Sequence, residues 1–345
     1  MIFATNNRNL KDSYKNIIKT ILFISVGVLL FYLVYKDSDF NQLLQEAKNV
    51  NYLWFIPMVV VGMLSHISRS IRWQMLLNSD GSKVRFTNTF LAVLNGYFAN
   101  LAVPRLGEVT RCAIVSKYEK QNFSKVLGTM VTERLTDVIV LGLITVAAIS
   151  LQTNQISDFI NNNPDLGDKL DKFTSLPIMI AFAAFSFLGL IFLFMLMKGK
   201  FDNIKLLKKL SEFIRSFWNV FLSIRKVKRP LLFIFHSLFI WLMYFLMLYI
   251  CFFAFDGFNK LGILTALFVF VAGSFGMVAP APNGIGAYHF MTIQALLIYG
   301  VLEEKAEAFA LIVHAAQTLI LAVAGFTSFI LVPILNKENK SNPNE

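Results

Sequence analysis

Apolar residues in this chain gather into long blocks separated by short polar stretches, the pattern of bilayer-crossing helices rather than of alternating strands. Blocks at about 17–35, 52–68, 124–151, 176–197, 231–255 and 308–334 read as full membrane spans. Two more blocks are broken. Residues 86–104 end at Pro104, and an apolar pair across 261–302 is interrupted by the motif PAPNGIG at 280–286. Proline ends a helix that reaches it, and irregular backbone at membrane depth is tolerated only where it packs within protein or lines a polar cavity. The expected fold is an all-α polytopic membrane protein with about six full transmembrane helices and two broken or re-entrant elements. One such element enters from each side, as in an inverted repeat, although the two halves share no visible identity.

Charge sets the expected orientation. Arg8, Lys11 and Lys15 precede the first span, and residues 198–230 hold ten Lys/Arg against Asp202 and Glu212, most of the net charge of +11. By the positive-inside rule both termini and this basic segment face the cytoplasm at the cell (inner) membrane, with the more acidic stretches 36–51, 152–175 and 303–307 outside. The second span then returns the chain to a cytoplasmic loop containing Arg69, Arg72, Lys83 and Arg85. A segment 86–104 that crossed would put Arg105, Arg111, Lys117, Lys120 and Lys125 outside, so it is read as entering and leaving on the cytoplasmic side. Ile204, Leu207, Leu210, Ile214, Phe217 and Phe221 recur at helical spacing among lysines. They predict an amphipathic helix over about 203–224, lying on anionic lipids at the cytoplasmic face. The organisation is a tail 1–16, one transmembrane domain 17–335 and a tail 336–345. The first span is followed by KDSDF, not by a small-residue cleavage site, so it is expected to stay as a span.

Composition narrows the function. With 56% hydrophobic residues, 15% charged and 35 Phe, the chain carries more apolar surface than a soluble core can bury. The two cysteines are too scattered for a metal site or a disulfide framework, and none of the four histidines forms a ligand-like pair, so neither metal nor cofactor is expected. The positive charge follows membrane sidedness, which argues against nucleic acid. No nucleophile constellation or phosphate loop appears, and the chain is not expected to be an enzyme.

Candidate chemistry lies in three places. In NGYFANLAVPRLGEVTR (95–111) a helix starting near Arg105 would set Arg105, Glu108 and Arg111 on one face at i, i+3 and i+6. A carboxylate between two guanidiniums is suited to holding a phosphate or carboxylate; the plainer alternative is a cytoplasmic loop that anchors topology. Glu133 and Asp137 share a face at i, i+4, and Arg134 reaches Asp137. Charges at a membrane-helix centre cost roughly 2.5–3.5 kcal/mol each on insertion scales, so these six must pair or be wet. They form either a structural ion cluster or a polar pocket for a charged headgroup. In PAPNGIG, Pro280 and Pro282 remove donors, Asn283, Gly284 and Gly286 shape the break, and the helix after it aims its positive end at an anion. His289 lies one turn in, and His314 and Gln317 are placed to hydrogen-bond between helices. If the break is a hinge, Gly284→Ala and Gly286→Ala are expected to leave thermal stability nearly unchanged.

Taken as an ordered set, Asn100, Pro104, Arg105, Gly107, Glu108 and Arg111, then Glu133, Arg134 and Asp137, then Pro280, Pro282, Gly284, Ile285 and Gly286 resemble the lysylphosphatidylglycerol synthase-type transmembrane family of flippase-like membrane proteins. The resemblance covers about 17–335 and implies translocation of a polar or charged lipid between leaflets, a phospholipid or polyprenyl-linked headgroup, with these motifs lining the path. It departs at Asn283, where the family often has Gly, and at His289, where it often has an acid, so the last motif lacks a fixed negative charge. Larger family enzymes carry a soluble aminoacyl-transferase domain that this chain is expected to lack. The alternatives are a non-transporting scaffold or accessory subunit of a lipid-modifying enzyme and a membrane-embedded transferase. The implied partner is a membrane lipid, and a homo-oligomer is compatible with the pattern.

Overall fold

The computed structural model describes residues 25–153, 189, 191–192, 194–200, 203–204, 207–208, 211 and 227–336. The elements that organise them are all helical: α1 (Ser25–Tyr35), α2 (Phe40–Asn49), α3 (Phe55–Leu77), α4 (Phe86–Ala102), α5 (Leu106–Tyr118), α6 (Phe123–Ser150), α7 (Pro230–Phe252), α8 (Gly262–Val278), α9 (Ala287–Ile298) and α10 (Glu303–Leu335). Tyr52–Leu77 (α3 with the short turn before it), α7 and α10 are each long and apolar enough to cross a membrane. At 28 residues α6 is also long enough, about 42 Å. The expected tail 1–16, loop 152–175, span 176–197, amphipathic helix 203–224 and tail 336–345 fall wholly or largely outside the described residues.

Two expectations fail here. The stretch 36–51 is not only a loop: Asp39 caps α2 by accepting from the Asn41 amide at 2.8 Å, and α2 packs on α10. The second span does not end at 68. Nothing in SRSIRWQMLL breaks a helix, so α3 runs on to Leu77 and carries Arg69 and Arg72 inside the fold, both buried.

The helices α3–α4–α5–α6 and α7–α8–α9–α10 repeat one plan: a long helix, a two-helix hairpin and a second long helix. α3 lies along α7, α4 along α10, and α8 along α6. In a bilayer no hydrophobic drive pulls helices together, so small residues and interhelical hydrogen bonds must. A Cβ on Gly107 would overlap the Gly96 carbonyl oxygen, so only glycine lets α4 and α5 close into the first hairpin. In the second, a Cβ on Gly276 would stand 2.6 Å from Tyr288 Cα. Ser328 Oγ of α10 donates to the Leu91 carbonyl of α4 at 2.6 Å. Aromatic rings fill the far end, where Phe258 stacks on Phe309 at 4.9 Å and Phe252 meets both edge-on. Leu231, Leu238, Val146, Val323 and Phe329 point outward and exposed, as lipid-facing residues do.

The start of α4 and the end of α5 meet at one end of the molecule, as a segment entering and leaving on one side requires. There Arg85 Nε pairs with Glu119 at 2.9 Å, and Lys125 Nζ pairs with Asp80 at 2.6 Å. The basic residues the charge rule assigns to the cytoplasm thus gather together. Cysteines at Lys83 and Glu304, both exposed, are expected to react with an impermeant maleimide oppositely: position 304 in intact cells, position 83 only after permeabilisation. In addition, Gly107→Ala is expected to lower the melting temperature sharply. Gly142→Ala, which meets no atom within 4 Å, should be neutral or stabilising by up to about 1 kcal/mol. Thermal unfolding of the two purified variants compares them directly.

Candidate functional site

The site grows from one buried ion cluster. Arg69 and Arg72 leave α3 one turn apart, and Glu133 and Asp137 leave α6 one turn apart, so the two pairs face each other. Arg69 Nη1 donates to Glu133 Oε1 at 2.6 Å and to Asp137 Oδ2 at 3.0 Å. Arg72 Nη2 donates to Asp137 Oδ1 at 2.7 Å and lies 3.5 Å from Glu133. From α5, Arg111 Nη2 reaches Glu133 Oε2 at 2.7 Å while its guanidinium stacks 4.5 Å over the Trp73 ring. Arg72 and Glu133 are 0% exposed, so water offers these charges no screening and each depends on its partners. α7 contributes neutral acceptors: Tyr244 Oη takes Arg69 Nε at 3.2 Å and Ser237 Oγ takes Arg72 at 3.3 Å.

Arg105, Glu108 and Arg111 do not share a helical face. Arg105 sits before α5 in the left-handed region, φ 64°, a conformation that strains a non-glycine residue by about 1–2 kcal/mol. Glu108 therefore meets Arg134 at 3.7 Å, while Arg111 reaches Glu133. A carboxylate held among guanidiniums does exist, but it is Glu133, gripped by Arg69, Arg72 and Arg111. Arg134 reaches Asp137 at 3.9 Å, the i, i+3 contact the spacing implied. Asn100 braces the first break by accepting from the Gly107 amide at 2.7 Å.

The second break is braced by neutral groups. Its Gly286 amide donates to His289 Nδ1 at 3.2 Å, which makes Nε2 the protonated nitrogen. His289 Nε2 then donates to His314 Nδ1 at 3.1 Å, and His314 Nε2 donates to the Asn283 carbonyl at 2.9 Å. The chain of bonds leaves the break and returns to it, with α10 as the bridge. Asn283 also donates to Thr318 at 2.7 Å. Asn283, Gly284 and Gly286 all have positive φ, 49°, 70° and 82°. A Cβ on Gly286 would overlap Leu30 of α1. Alanine there strains and clashes, which overturns the expectation of unchanged thermal stability.

Both breaks line one cavity of about 520 Å³. Asn100, Pro104, Arg105 and Glu108 line it from the first break, Ala279 to Ala281, Asn283 and Gly284 from the second, and Arg69, Arg134 and Asp137 line it as well. Of the residues expected from sequence, Arg111, Glu133, Gly286 and His289 do not line it; the first two hold the wall from behind and the last two hold the second break. His66, Arg69, Tyr97, Trp241, Tyr244 and Tyr288, all lining, were missed. The signal for two of them was present: Gly62, His66, Arg69 and Trp73 recur at helical spacing through GMLSHISRSIRW, but a rule that ends a span at its first arginine hides it.

A family model described as the lysylphosphatidylglycerol synthase TM region matches residues 17–325, and the chain belongs to that family. It is also similar to the UPF0104 membrane protein MJ1595 of Methanocaldococcus jannaschii, 26% identical over 124 residues, which is 35% of this chain and 37% of that protein. The chain thus matches only a little over a third of that relative's length. No solved structure matches it. Family membership and the apolar helices make this a membrane protein.

The cluster and the cavity wall separate by mutation. Glu133→Gln leaves Arg69, Arg72 and Arg111 under-paired in a dry site and is expected to destabilise by about 3–5 kcal/mol. Glu108→Gln removes only a 3.7 Å contact to a partly exposed arginine and should cost less than about 1 kcal/mol. Melting temperature and monodispersity of the two proteins in detergent decide.

Proposed function

We propose that this member of the lysylphosphatidylglycerol synthase transmembrane family moves a lipid with a polar or charged headgroup between leaflets, through the cavity that its two broken hairpins share. That shared lining is the observation that carries the reading. Backbone irregularity within a membrane bundle is sustained where it lines a polar path, and here two separate breaks serve one path. The cavity is polar on Arg69, Arg105, Glu108, Arg134 and Asp137, and apolar on Val138, Leu141, Met277 and Val278. Val138 and Val278 are also exposed at 68% and 66%, so the apolar side continues onto the lipid-facing surface. A headgroup can sit among the charges while its acyl chains stay in hydrocarbon.

This reading involves no covalent step and sets the protein in the cell membrane with its termini cytoplasmic, following the basic residues. The ion cluster of Glu133 supports a scaffold equally well, and the cavity is what favours transport.

The test is reconstitution into vesicles with acyl-labelled fluorescent phospholipids, reading inner-leaflet probe that becomes accessible to an impermeant quencher. The wild-type protein is expected to accelerate exchange over protein-free vesicles. Arg105→Gln should slow it about tenfold, roughly 1.4 kcal/mol, with melting temperature retained, because Arg105 makes no ion pair among the described residues. Wild-type exchange equal to the protein-free rate would favour the scaffold.

A further inference from the structure

The hydrogen bonds through His289 and His314 run in one direction, and a single group sets it. The Gly286 amide donates and cannot accept, so His289 Nδ1 is bare and each ring carries its one proton on Nε2. At the other end a second arrangement is already provided for. Asn283 sets two atoms against His314 Nε2: its carbonyl oxygen, an acceptor, at 2.9 Å, and its side-chain Nδ2, a donor, at 3.3 Å. His314 can therefore meet the break with Nε2 protonated or bare. His289 has no such choice. A proton on its Nδ1 would face the Gly286 N–H, and that bond would open.

The two ends of this line lie against different places. Asn283 lines the cavity, so the His314 end abuts the lipid path. The His289 end lies against α1, where Phe31 and Tyr35 meet its ring edge-on at 5.3 and 5.5 Å. Tyr35 Oη donates to the Glu307 carbonyl at 3.3 Å, and Ser38 Oγ donates to Glu307 Oε1 at 2.7 Å. Glu307 is buried near the end of α10 that the charge rule sets outside, with Glu303 and Glu304 one turn before it. The other groups about the pair are neutral: Tyr288 stacks 4.8 Å from His314, Asn283 is tied to Thr318, and α8 sets Gly273 and Gly276 against Tyr288. Among the described residues neither ring has an ion-pair partner, so no fixed charge detains a proton on the pair.

Building on the translocation reading, we infer that His289 and His314 relay protons between the outer end of the bundle and the cavity, so that a proton is the second substrate and its passage opens the second break. In one step a proton from the Glu307 side bonds to His289 Nδ1. The His289 Nε2 proton passes to His314 Nδ1, and the His314 Nε2 proton leaves to a water or headgroup oxygen in the cavity. One N–H bond forms and one breaks on each ring, and neither ring keeps a charge. Both rings end as the opposite tautomer. Asn283 Nδ2 then meets the bare His314 Nε2, while the Gly286 amide has lost its acceptor. The break closes again only once both rings regain the Nε2–H form.

The experiment places the full chain in vesicles that hold a pH-sensitive dye and an acyl-labelled fluorescent phospholipid. A step of one pH unit is imposed, with the potential clamped by potassium and valinomycin. Proton entry is expected above the protein-free rate. Labelled lipid is expected to redistribute between leaflets toward a ratio of up to about tenfold, the limit that one proton per lipid sets at one pH unit. His314→Gln still offers Asn283 a donor and His289 an acceptor but cannot exchange them. It is expected to keep its melting temperature and lose both proton entry and redistribution, and His289→Gln is a second variant with the same expectation. Wild-type proton entry at the protein-free rate, or entry undiminished in the folded variants, would overturn the relay; lipid exchange indifferent to the pH step would then leave translocation standing. Histidine-dependent proton entry without lipid exchange would uphold the relay and sink translocation.

Discussion

Everything at the centre of this protein depends on where the charge of Glu133 and Asp137 goes. Two carboxylates on a helix inside a membrane bundle cannot be left to water, and desolvating them is costly enough that each must be met at hydrogen-bond distance. The protein meets them with three guanidiniums from two other helices, plus neutral oxygens from α7. Because guanidinium geometry is planar and forked, those contacts fix more than distance. They set the rotation of α3 and α6 about their axes and hold the middle of α5 against α6. The first hairpin, already closed by Gly96 against Gly107, is thereby oriented with its break facing inward. The cavity is a consequence of that orientation.

The second hairpin solves the same problem without charge. Its break is held by two histidines whose tautomers are dictated by one backbone amide, and by Asn283 reaching Thr318. Each hydrogen bond is neutral and modest, about 0.5–1.5 kcal/mol, but together they tie the break to α10 and, through Gly286, to the backbone of α1. The two halves follow one architectural plan and use opposite electrostatics. One side of the cavity carries fixed charge, the other only dipoles and aromatic edges. Had both breaks carried arginines, the cavity's positive potential would be far larger and an anion would not leave.

The large-scale pattern was legible because membrane helices announce themselves by length and by breaks. Pro104 and PAPNGIG fall at the two breaks, and of the residues the sequence singles out Asn100, Arg105, Glu108, Arg134, Asp137, Asn283 and Gly284 line the cavity. What could not be read was pairing. Glu108 was assigned to Arg105 and Arg111 on the assumption that the helix starts at Arg105; a left-handed residue there rotates the face away. A charge rule ends the span before Arg69 and Arg72 because arginine within a span is normally too costly, and nothing local reveals the two carboxylates of α6 that meet them. Positive φ at Asn283 and the approach of Leu30 to Gly286 are likewise tertiary facts. Sequence spacing reports which residues share a helix face, not which helices share a neighbour.

The division of labour among the arginines also bears on how a headgroup could move. A site that binds must be favourable enough to be entered and weak enough to be left, and arginine excess alone would fail the second condition. Here the strong charges mostly face one another: Arg69, Arg72 and Arg111 meet Glu133 and Asp137, which leaves that buried cluster one positive charge in excess. Arg134 is shared between Glu108 and Asp137 at 3.7 and 3.9 Å, too long for firm hydrogen bonds and therefore easily exchanged for a better acceptor. Among the described arginines of the cavity only Arg105 makes no ion pair, and it sits on a strained turn at the cavity wall. On the proposed transport reading, an anionic headgroup arriving at Arg105 would draw Arg134 from its two distant carboxylates without disturbing the buried cluster, and on leaving would return it to them. The cluster supplies rigidity, the loosely held pair supplies reversibility, and neither could do so if Glu133 were the residue that faced the cavity.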